Sequence, residues 1–436
     1  MGESVTLTGV TKIFPNGAVA LHEVGFEAPA GSFVVLLGPS GSGKTTLVRI
    51  LAGIERLSSG SIRVGERVVA DRRLHLVPER RGLSMVFQDY ALWPHLTAAD
   101  NVAFALRRFG LGPAERRRRA AAMLERVGLG ALGARYPGEL SGGEQQRVAL
   151  ARALVGDTGL ILCDEPLSNL DADLRDRMRV EISALVREVG ATAVYITHDQ
   201  SEAFALADRI GVLDRGRLVQ WGPPEEVYAS PATPFVARFT GTAGELPVRR
   251  LGAGGARTGD LVEVEPTGLA WSRPLLARAG DSPSGAGGVL LVRPAAIRLV
   301  EPWGEACHLV GTVADVAFRG RGYELAIDLD GGGRITNAFS AERVARGEIV
   351  GLALDASGCV VFSSSLDQAE AGLDGGHPGQ QVLQDGLGRA GPVGLAAEAG
   401  RAQAAFQDLV QLDPALGAVD SGHHPGADLA RSVPGA

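Results

Sequence analysis

The chain has 436 residues, 45% of them hydrophobic and 21% charged, and a formal net charge of −7. That length buries at least one large core and suggests two or three domains. The acidic balance gives general nucleic-acid binding no electrostatic support, so no nucleic-acid partner is expected.

Three scattered cysteines, Cys163, Cys307 and Cys359, fit a reducing compartment and no disulfide framework. Residues 1–30 lack the uninterrupted apolar core of a secretory leader, and no run reads as long and apolar enough to span a bilayer. The expectation is a cytoplasmic protein that reaches a membrane only through a partner.

Residues 1–30 alternate loosely and predict short antiparallel strands with turns at Asn16-Gly17 and Pro29-Ala30-Gly31. Residues 33–37 form a continuous apolar run, the pattern of a central strand. Gly38-Pro39-Ser40-Gly41-Ser42-Gly43-Lys44-Thr45 follows, then a helix to about residue 52. Glycines at 38, 41 and 43 let the backbone turn tightly with its N–H groups inward. Those donors and the helix N-terminus suit a triphosphate. Lys44 should reach the β and γ phosphates and Thr45 should place its hydroxyl on Mg²⁺. By itself the loop does not separate transport, motor, kinase or GTPase function.

Residues 61–70 read as a strand pair, and 85–87 as a short buried strand ending at Gln88, whose amide could sense metal and attacking water. Residues 100–155 are helical in character. Pro113 sits near the start of one helix, and the basic run 116–119 on it is read as a solvated face. Residues 160–163 form a second core strand, in which Cys163 is a small core residue. This strand puts Asp164 near the metal and Glu165 where it could polarise water. A third strand, 191–197, ends at His198, which could contact the γ phosphate or hold Glu165 and the water. A helix over 200–208 and a strand over 210–213 complete an alternation that implies an α/β sheet flanked by helices.

After about Thr240 the composition shifts to Gly, Ala, Pro and Arg. Strands at 261–264, 288–292, 309–318, 323–329 and 349–354 suggest a second, mostly β domain to about 365. Beyond it, residues 396–412 could form one amphipathic helix in an otherwise weakly ordered tail. His423-His424 is read as tail composition rather than a metal pair.

About a hundred residues after the glycine loop stands Leu140-Ser141-Gly142-Gly143-Glu144-Gln145-Gln146-Arg147. Together with Asp164-Glu165-Pro166, Ser168-Asn169-Leu170-Asp171, Gln88 and His198, it carries a resemblance to the ATP-binding subunits of ABC transporters over residues 1–240. The resemblance implies a P-loop NTPase ABC cassette with an antiparallel β subdomain and a helical subdomain. It also implies a head-to-tail dimer, with each ATP held between one subunit's glycine loop and the other's Ser141-Gly142-Gly143. Phe14 matches the aromatic that stacks on adenine, where tyrosine is common. Ser40, Thr46 and Asp171 join Gly38, Gly41, Gly43, Lys44 and Thr45 as nucleotide contacts. Glu165, His198, Gln88 and Lys44 would be catalytic, and Thr45, Gln88 and Asp164 would serve Mg²⁺. Glu144 stands where the shortest form of the signature has glutamine, a variant that resembles bacterial importers.

Residues 88–97 resemble the importer surface that receives the permease. Trp93 there is either an exposed contact or a packed loop aromatic. Residues 241–365 resemble the small OB-like accessory domain, TOBE-like, of sugar, polyamine, molybdate and iron importers. Leu291-Val292-Arg293-Pro294 matches a recurring piece of it, with Ala295 where glutamate is common. The implied domains are 1–240, 241–365 and a tail, 366–436.

The implied function is the ATP-hydrolysing subunit of an importer, peripheral at the cytoplasmic face of the membrane. It would work with integral permease subunits and, indirectly, an extracytoplasmic solute-binding protein. Residues 90–106 are closest to the iron(III) group, with polyamine, phosphonate, sulfate or molybdate, and sugar importers as alternatives. A soluble ABC ATPase in DNA repair or translation is a competing class, although such relatives usually carry paired cassettes, coiled coils or zinc modules. A purely regulatory nucleotide module is opposed by Glu165 and His198.

Overall fold

In the computed structural model, residues 2–156, 158–251, 257–280 and 287–363 are described. The chain begins with β1 (Val5–Ile13) and β2 (Val19–Ala28), then β3 (Phe33–Leu37) and α1 (Lys44–Ala52). The hairpin β4 (Ser59–Val64) and β5 (Arg67–Ala70) follows, then β6 (Leu83–Val86). Helices α2 (Ala98–Phe104), α3 (Pro113–Arg126) and α4 (Gly142–Leu154) come next. β7 (Leu160–Asp164), α5 (Ala172–Val189), β8 (Thr192–Thr197) and α6 (Gln200–Leu206) lead to β9 (Arg209–Asp214) and β10 (Arg217–Gly222).

Two sheets organise this half. One is antiparallel in the order β2-β1-β4-β5; the other has six strands in the order β10-β9-β3-β8-β7-β6. Within the second, β9, β3, β8, β7 and β6 run parallel, and β10 pairs antiparallel with β9. Every residue of β3, β7 and β8 is buried, as expected for parallel strands covered on both faces. Alternate residues of β3 serve different cores. Phe33, Val35 and Leu37 pack with the helical layer, while Val34 and Leu36 pack with α1 and the antiparallel sheet. The expected α/β cassette with its antiparallel and helical parts is therefore present.

The strand order decides where chemistry can occur. β8 lies between β3 and β7, with Leu37 opposite Thr197 and Asp164 opposite Ile196. The C-terminal ends of β3, β7 and β8 therefore lie side by side, which is where ligands bind in open α/β sheets.

Two short helices, α7 (Pro224–Ala229) and α8 (Pro234–Phe239), lead into the β-rich half. It comprises β11 (Gly244–Leu251), β12 (Leu261–Pro266), β13 (Leu275–Ala279), β14 (Gly287–Val292), β15 (Ile297–Val300), β16 (Leu309–Phe318), β17 (Tyr323–Leu329), β18 (Arg334–Ser340), β19 (Ile349–Leu354) and β20 (Cys359–Ser363). β11, β12, β13, β20 and β14 close a barrel, and the remaining strands form a sheet in the order β15-β19-β16-β17-β18. Both share one core that includes Leu246, Leu290, Leu309, Ile327 and Val361.

Arg293, directly after β14, joins this half to the cassette. Its guanidinium donates to the carbonyls of Ala237 (2.8 Å), Gly241 (2.6 Å) and Tyr228 (2.7 Å) and to Thr240 Oγ1 (2.9 Å). It also lies 4.2 Å from the Tyr228 ring centroid. Burial lowers its pKa. A planar fork with several fixed donors suits this cluster of acceptors better than a lysine would.

Several boundaries differ from the sequence expectation. β6 stops at Val86 rather than Phe87, and α6 at Leu206 rather than 208, where Asp208 turns to accept from the Phe33 N–H at 2.7 Å. The stretch 100–155 is broken into three helices. The three cysteines are free and buried, and burial pushes the Cys163 thiol up to about 12. The expectations for 366–436, including the helix at 396–412 and His423-His424, lie outside the described residues.

Candidate functional site: a nucleotide-phosphate centre

Gly41 and Gly43 have φ of 80° and 99°, values that a Cβ would strain. Gly43 has a second reason to lack a side chain, since a Cβ there would lie 2.5 Å from the Ala20 carbonyl oxygen. The loop thus backs onto β2, in the hairpin that also carries Phe14. Gly43 caps α1 in the left-handed conformation, with no side-chain cap. The first N–H groups of α1 therefore remain donors for an anion.

Lys44 is buried. Its ammonium donates to the carbonyls of Gly38 (2.7 Å) and Pro39 (2.9 Å). Burial pulls its pKa down, and Glu165 and Asp164 partly oppose that. The cation therefore sits at the loop it is expected to serve, facing two carboxylates at the end of β7. Ser40 is exposed, and Thr46 is half-buried one residue into α1 beyond Thr45.

Asp164 ends β7 with its Oδ1 3.4 Å from Thr45 Oγ1. Burial raises its pKa, with Glu165 adding to the rise and Arg49 opposing it. A buried carboxylate held against its own desolvation, beside a hydroxyl and a second carboxylate, is a donor set that fits a hard divalent cation.

Glu165 has φ 44°, a left-handed backbone that costs energy for a side chain of this size and is seen where function requires it. Its N–H donates to the Ile196 carbonyl at 3.2 Å, and its Oε2 lies 3.2 Å from His198 Nδ1. Glu165, Ser168, Arg175, Thr197, His198, Asp199 and Glu202 surround a cleft of about 30 Å³, room for one water. Asp199 caps α6 by accepting from the Ser201 and Glu202 N–H groups and lies 3.6 Å from Arg175 on α5. This ties the residue after His198 to the helix that follows residues 168–171.

Gln88 is exposed beyond β6, and its carbonyl accepts from Asn169 Nδ2 at 3.0 Å. Ser168 Oγ donates to the Glu165 carbonyl at 3.0 Å. The loop 168–171 therefore contacts both the Gln88 and the Glu165 segments. Asp171 is the exposed N-cap of α5, and its Oδ1 accepts from the Leu174 N–H at 2.9 Å.

Ser141 is the N-cap of α4. Its N–H and its hydroxyl both donate to Glu144 Oε2, each at 2.8 Å. Gly143 packs against Leu174 of α5, whose Cδ2 would lie 2.7 Å from a Cβ built there. Ser141 and Gly142 are exposed, and Gly143 is buried. Among the described residues, no hydrogen bond joins Ser141 to residues 38–45. One chain brings together Gly38, Gly41, Gly43, Lys44, Thr45, Asp164, Glu165 and His198, and among the described residues no hydrogen bond links Ser141, Gly142 or Gly143 to them.

Phe14 is half-buried at the end of β1, where its N–H donates to the Ala18 carbonyl at 2.9 Å. Trp93 is not the exposed aromatic that a docking contact calls for. It is partly buried, 4.3 Å from the Phe104 ring centroid, with the Arg152 guanidinium 5.1 Å from its own. The packed-aromatic alternative matches the structure, whereas Pro94 and His95 are exposed. Sequence reasoning missed Arg152, which donates to the carbonyls of Tyr90 (2.7 Å) and Ala91 (2.5 Å). Those two residues have φ of 63° and 44°. No short motif marks a charge that acts on backbone carbonyls about sixty residues away.

The ABC transporter family model matches residues 21–168, and the TOBE domain model matches residues 290–362. An sn-glycerol-3-phosphate import ATP-binding protein of Jannaschia sp. is 48% identical over 257 residues, 58% of this chain and 72% of that protein. A spermidine/putrescine import ATP-binding protein of Thermobifida fusca is 44% identical over 322 residues, 73% and 81% of the two chains. An Fe(3+) ions import ATP-binding protein of Rhizobium etli is 44% identical over 329 residues, 75% and 88%.

Proposed function

This chain belongs to the import ATP-binding subunits of ABC transporters, and we propose that it powers an iron(III) importer through two composite sites in a head-to-tail pair of copies. It is an ATPase coupled to solute import. The observation that carries the composite site is that the phosphate loop and Glu165 lie at one set of strand ends, while Ser141, the N-cap of α4, makes no hydrogen bond to residues 38–45 among the described residues. A second copy supplies the missing signature.

In this reading Gly38, Ser40, Gly41, Gly43, Lys44, Thr45 and Thr46 hold the phosphates and Phe14 stacks on the base. Thr45, Asp164 and Gln88 would hold Mg²⁺, which supplies positive charge against the β and γ phosphate oxygens. Glu165 accepts the proton of the attacking water, and His198 fixes the Glu165 carboxylate. Ser141 would exchange its bond to Glu144 for the γ phosphate of the partner copy's ATP, flanked by the N–H groups of Gly142 and Gly143. Asp171 caps α5 and shapes the loop 168–171, which would face the partner copy and its nucleotide. The domains are 1–240 for ATP and 241–365 for the accessory β part, with Arg293 as the joint.

The working position is the cytoplasmic face of the membrane, held by permease subunits that receive residues 88–97. An extracytoplasmic binding protein would deliver the solute. Two observations support iron(III): the character of residues 90–106, and a relative named for Fe(3+) import of whose length this chain covers 88%. Polyamine, sulfate and glycerol 3-phosphate are competing solutes, since relatives named for the import of each have comparable identity.

The test is copurification of the tagged chain from detergent-solubilised native membranes with partners identified by mass spectrometry. An integral permease supports the reading, and solute-stimulated turnover of that complex in liposomes assigns the solute. A ribosomal or DNA-bound partner with no permease would overturn it.

A further inference from the structure

Lys12 is a cation that the fold takes out of water. It lies on β1 with 8% of its surface exposed. Its ammonium donates to Glu55 Oε2 and to the Arg56 carbonyl, each at 2.9 Å, and stands 4.8 Å from the centroid of the Phe14 ring. Ser58 completes the joint: its N–H donates to the Thr11 carbonyl at 2.7 Å, and its Oγ accepts from the Ile13 N–H at 2.9 Å. The strand end that carries Phe14 is thereby stitched to residues 55–58, which follow α1. The N-terminus of α1 opens from the glycine loop.

We infer that Lys12 is a positioning residue for the base of the bound nucleotide, its buried ammonium fixing the Phe14 ring and tuning it for stacking on adenine. The inference rests on the ATP-binding reading above. Phenylalanine has no polar atom with which to fix its own orientation, and the ammonium supplies that restraint. A cation over an aromatic face is attracted by the ring quadrupole. It also draws electron density from the ring, which favours stacking on an electron-rich base. Burial protects this attraction from screening by salt. Glu55 compensates the charge, so the arrangement leaves no unpaired buried cation.

The experiment compares full-length wild type with Lys12→Met and Lys12→Arg. The probes are ATP and inorganic tripolyphosphate, which carries the phosphates without the base. Lys12→Met is expected to raise the Kd and the KM for ATP roughly three- to fivefold, with kcat within about twofold. The inhibition constant of tripolyphosphate should stay unchanged, and Lys12→Arg should restore ATP affinity. Equal weakening of ATP and tripolyphosphate would overturn the inference, because the effect would then lie at the phosphate loop or in the fold. Unchanged ATP affinity would overturn it too. Should Lys12→Met not fold, Lys12→Gln keeps a neutral donor to the Arg56 carbonyl and is held to the same pattern. Wild type that binds no ATP would instead refute the ATP-binding reading itself.

Discussion

His198 Nδ1 lies 3.2 Å from Glu165 Oε2, a contact between residues that follow two adjacent strands of one sheet. The histidine side chain is 57% exposed and the glutamate 20%. The carboxylate is sheltered and the imidazole reaches it from the solvent side, so one group can hold the other without burying a second charge. In His198→Ala the carboxylate keeps its backbone position and loses its orienting partner. Turnover should fall at least about tenfold, while ATP affinity changes little, because Lys44 and the loop N–H groups are untouched. Steady-state kinetics with a parallel nucleotide-binding titration checks this, and unchanged kcat would remove His198 from the mechanism.

Asp164 should trade stability for function. Its pKa is raised first by burial, so the folded state holds the proton more tightly than the unfolded chain does. The sign follows from linkage. Above its folded pKa the ionised group makes the empty protein less stable, and that cost disappears as pH falls through this value. Asp164→Asn should therefore stabilise the nucleotide-free protein at neutral pH, on the order of 1 kcal/mol. The same variant should lose Mg²⁺-dependent hydrolysis. Chemical denaturation reads the first effect, and an ATPase assay with and without Mg²⁺ reads the second. A less stable empty variant would contradict the account.

Arg293 should prove the costliest single side chain to remove from the joint between cassette and barrel. Arg293→Met removes the guanidinium donors from three carbonyls and the Thr240 hydroxyl, and a loss of roughly 2–4 kcal/mol is expected. Thermal unfolding measures it. Below the new midpoint, nucleotide affinity should be retained, since the joint is distinct from the phosphate loop.

Permease docking is better tested at His95 than at Trp93. Trp93→Glu would disturb the packing on Phe104 and Arg152, so lost partner binding would be confounded by lost stability. His95 is exposed on the same loop. His95→Glu should weaken copurification with the permease while leaving the melting temperature within a degree or two and ATP binding unchanged. Full recovery of the complex would place the docking surface elsewhere.

The parallel sheet and its phosphate loop were legible in the sequence because local chemistry determines both. The runs 33–37 and 160–163 are apolar throughout, and 191–197 is broken only by Thr192, Tyr195 and Thr197, as suits strands buried on two faces. The glycines mark a loop whose backbone conformation only glycine adopts cheaply. The barrel was only half legible. β13 and β20 have only five residues each, β11 carries Pro247, and β20 closes on β14 and β13 across about seventy to eighty residues of chain. Register at that range is set by a shared core, not by local pattern. Lys12, Arg152 and Arg293 were not read for these roles for a related reason. Each acts on carbonyls or rings brought close only by the fold, so their neighbours in sequence give no sign of what they do.

The central claim is a composite site in which Glu165 activates water and a second copy's Ser141 completes the phosphate shell. Its most direct test is Glu165→Gln, assayed for turnover and, by light scattering, for mass with and without ATP. The account predicts hydrolysis reduced at least about a hundredfold and an ATP-dependent dimer that Ser141→Arg abolishes. Substantial turnover, or a monomer that stays monomeric at saturating ATP, would contradict it.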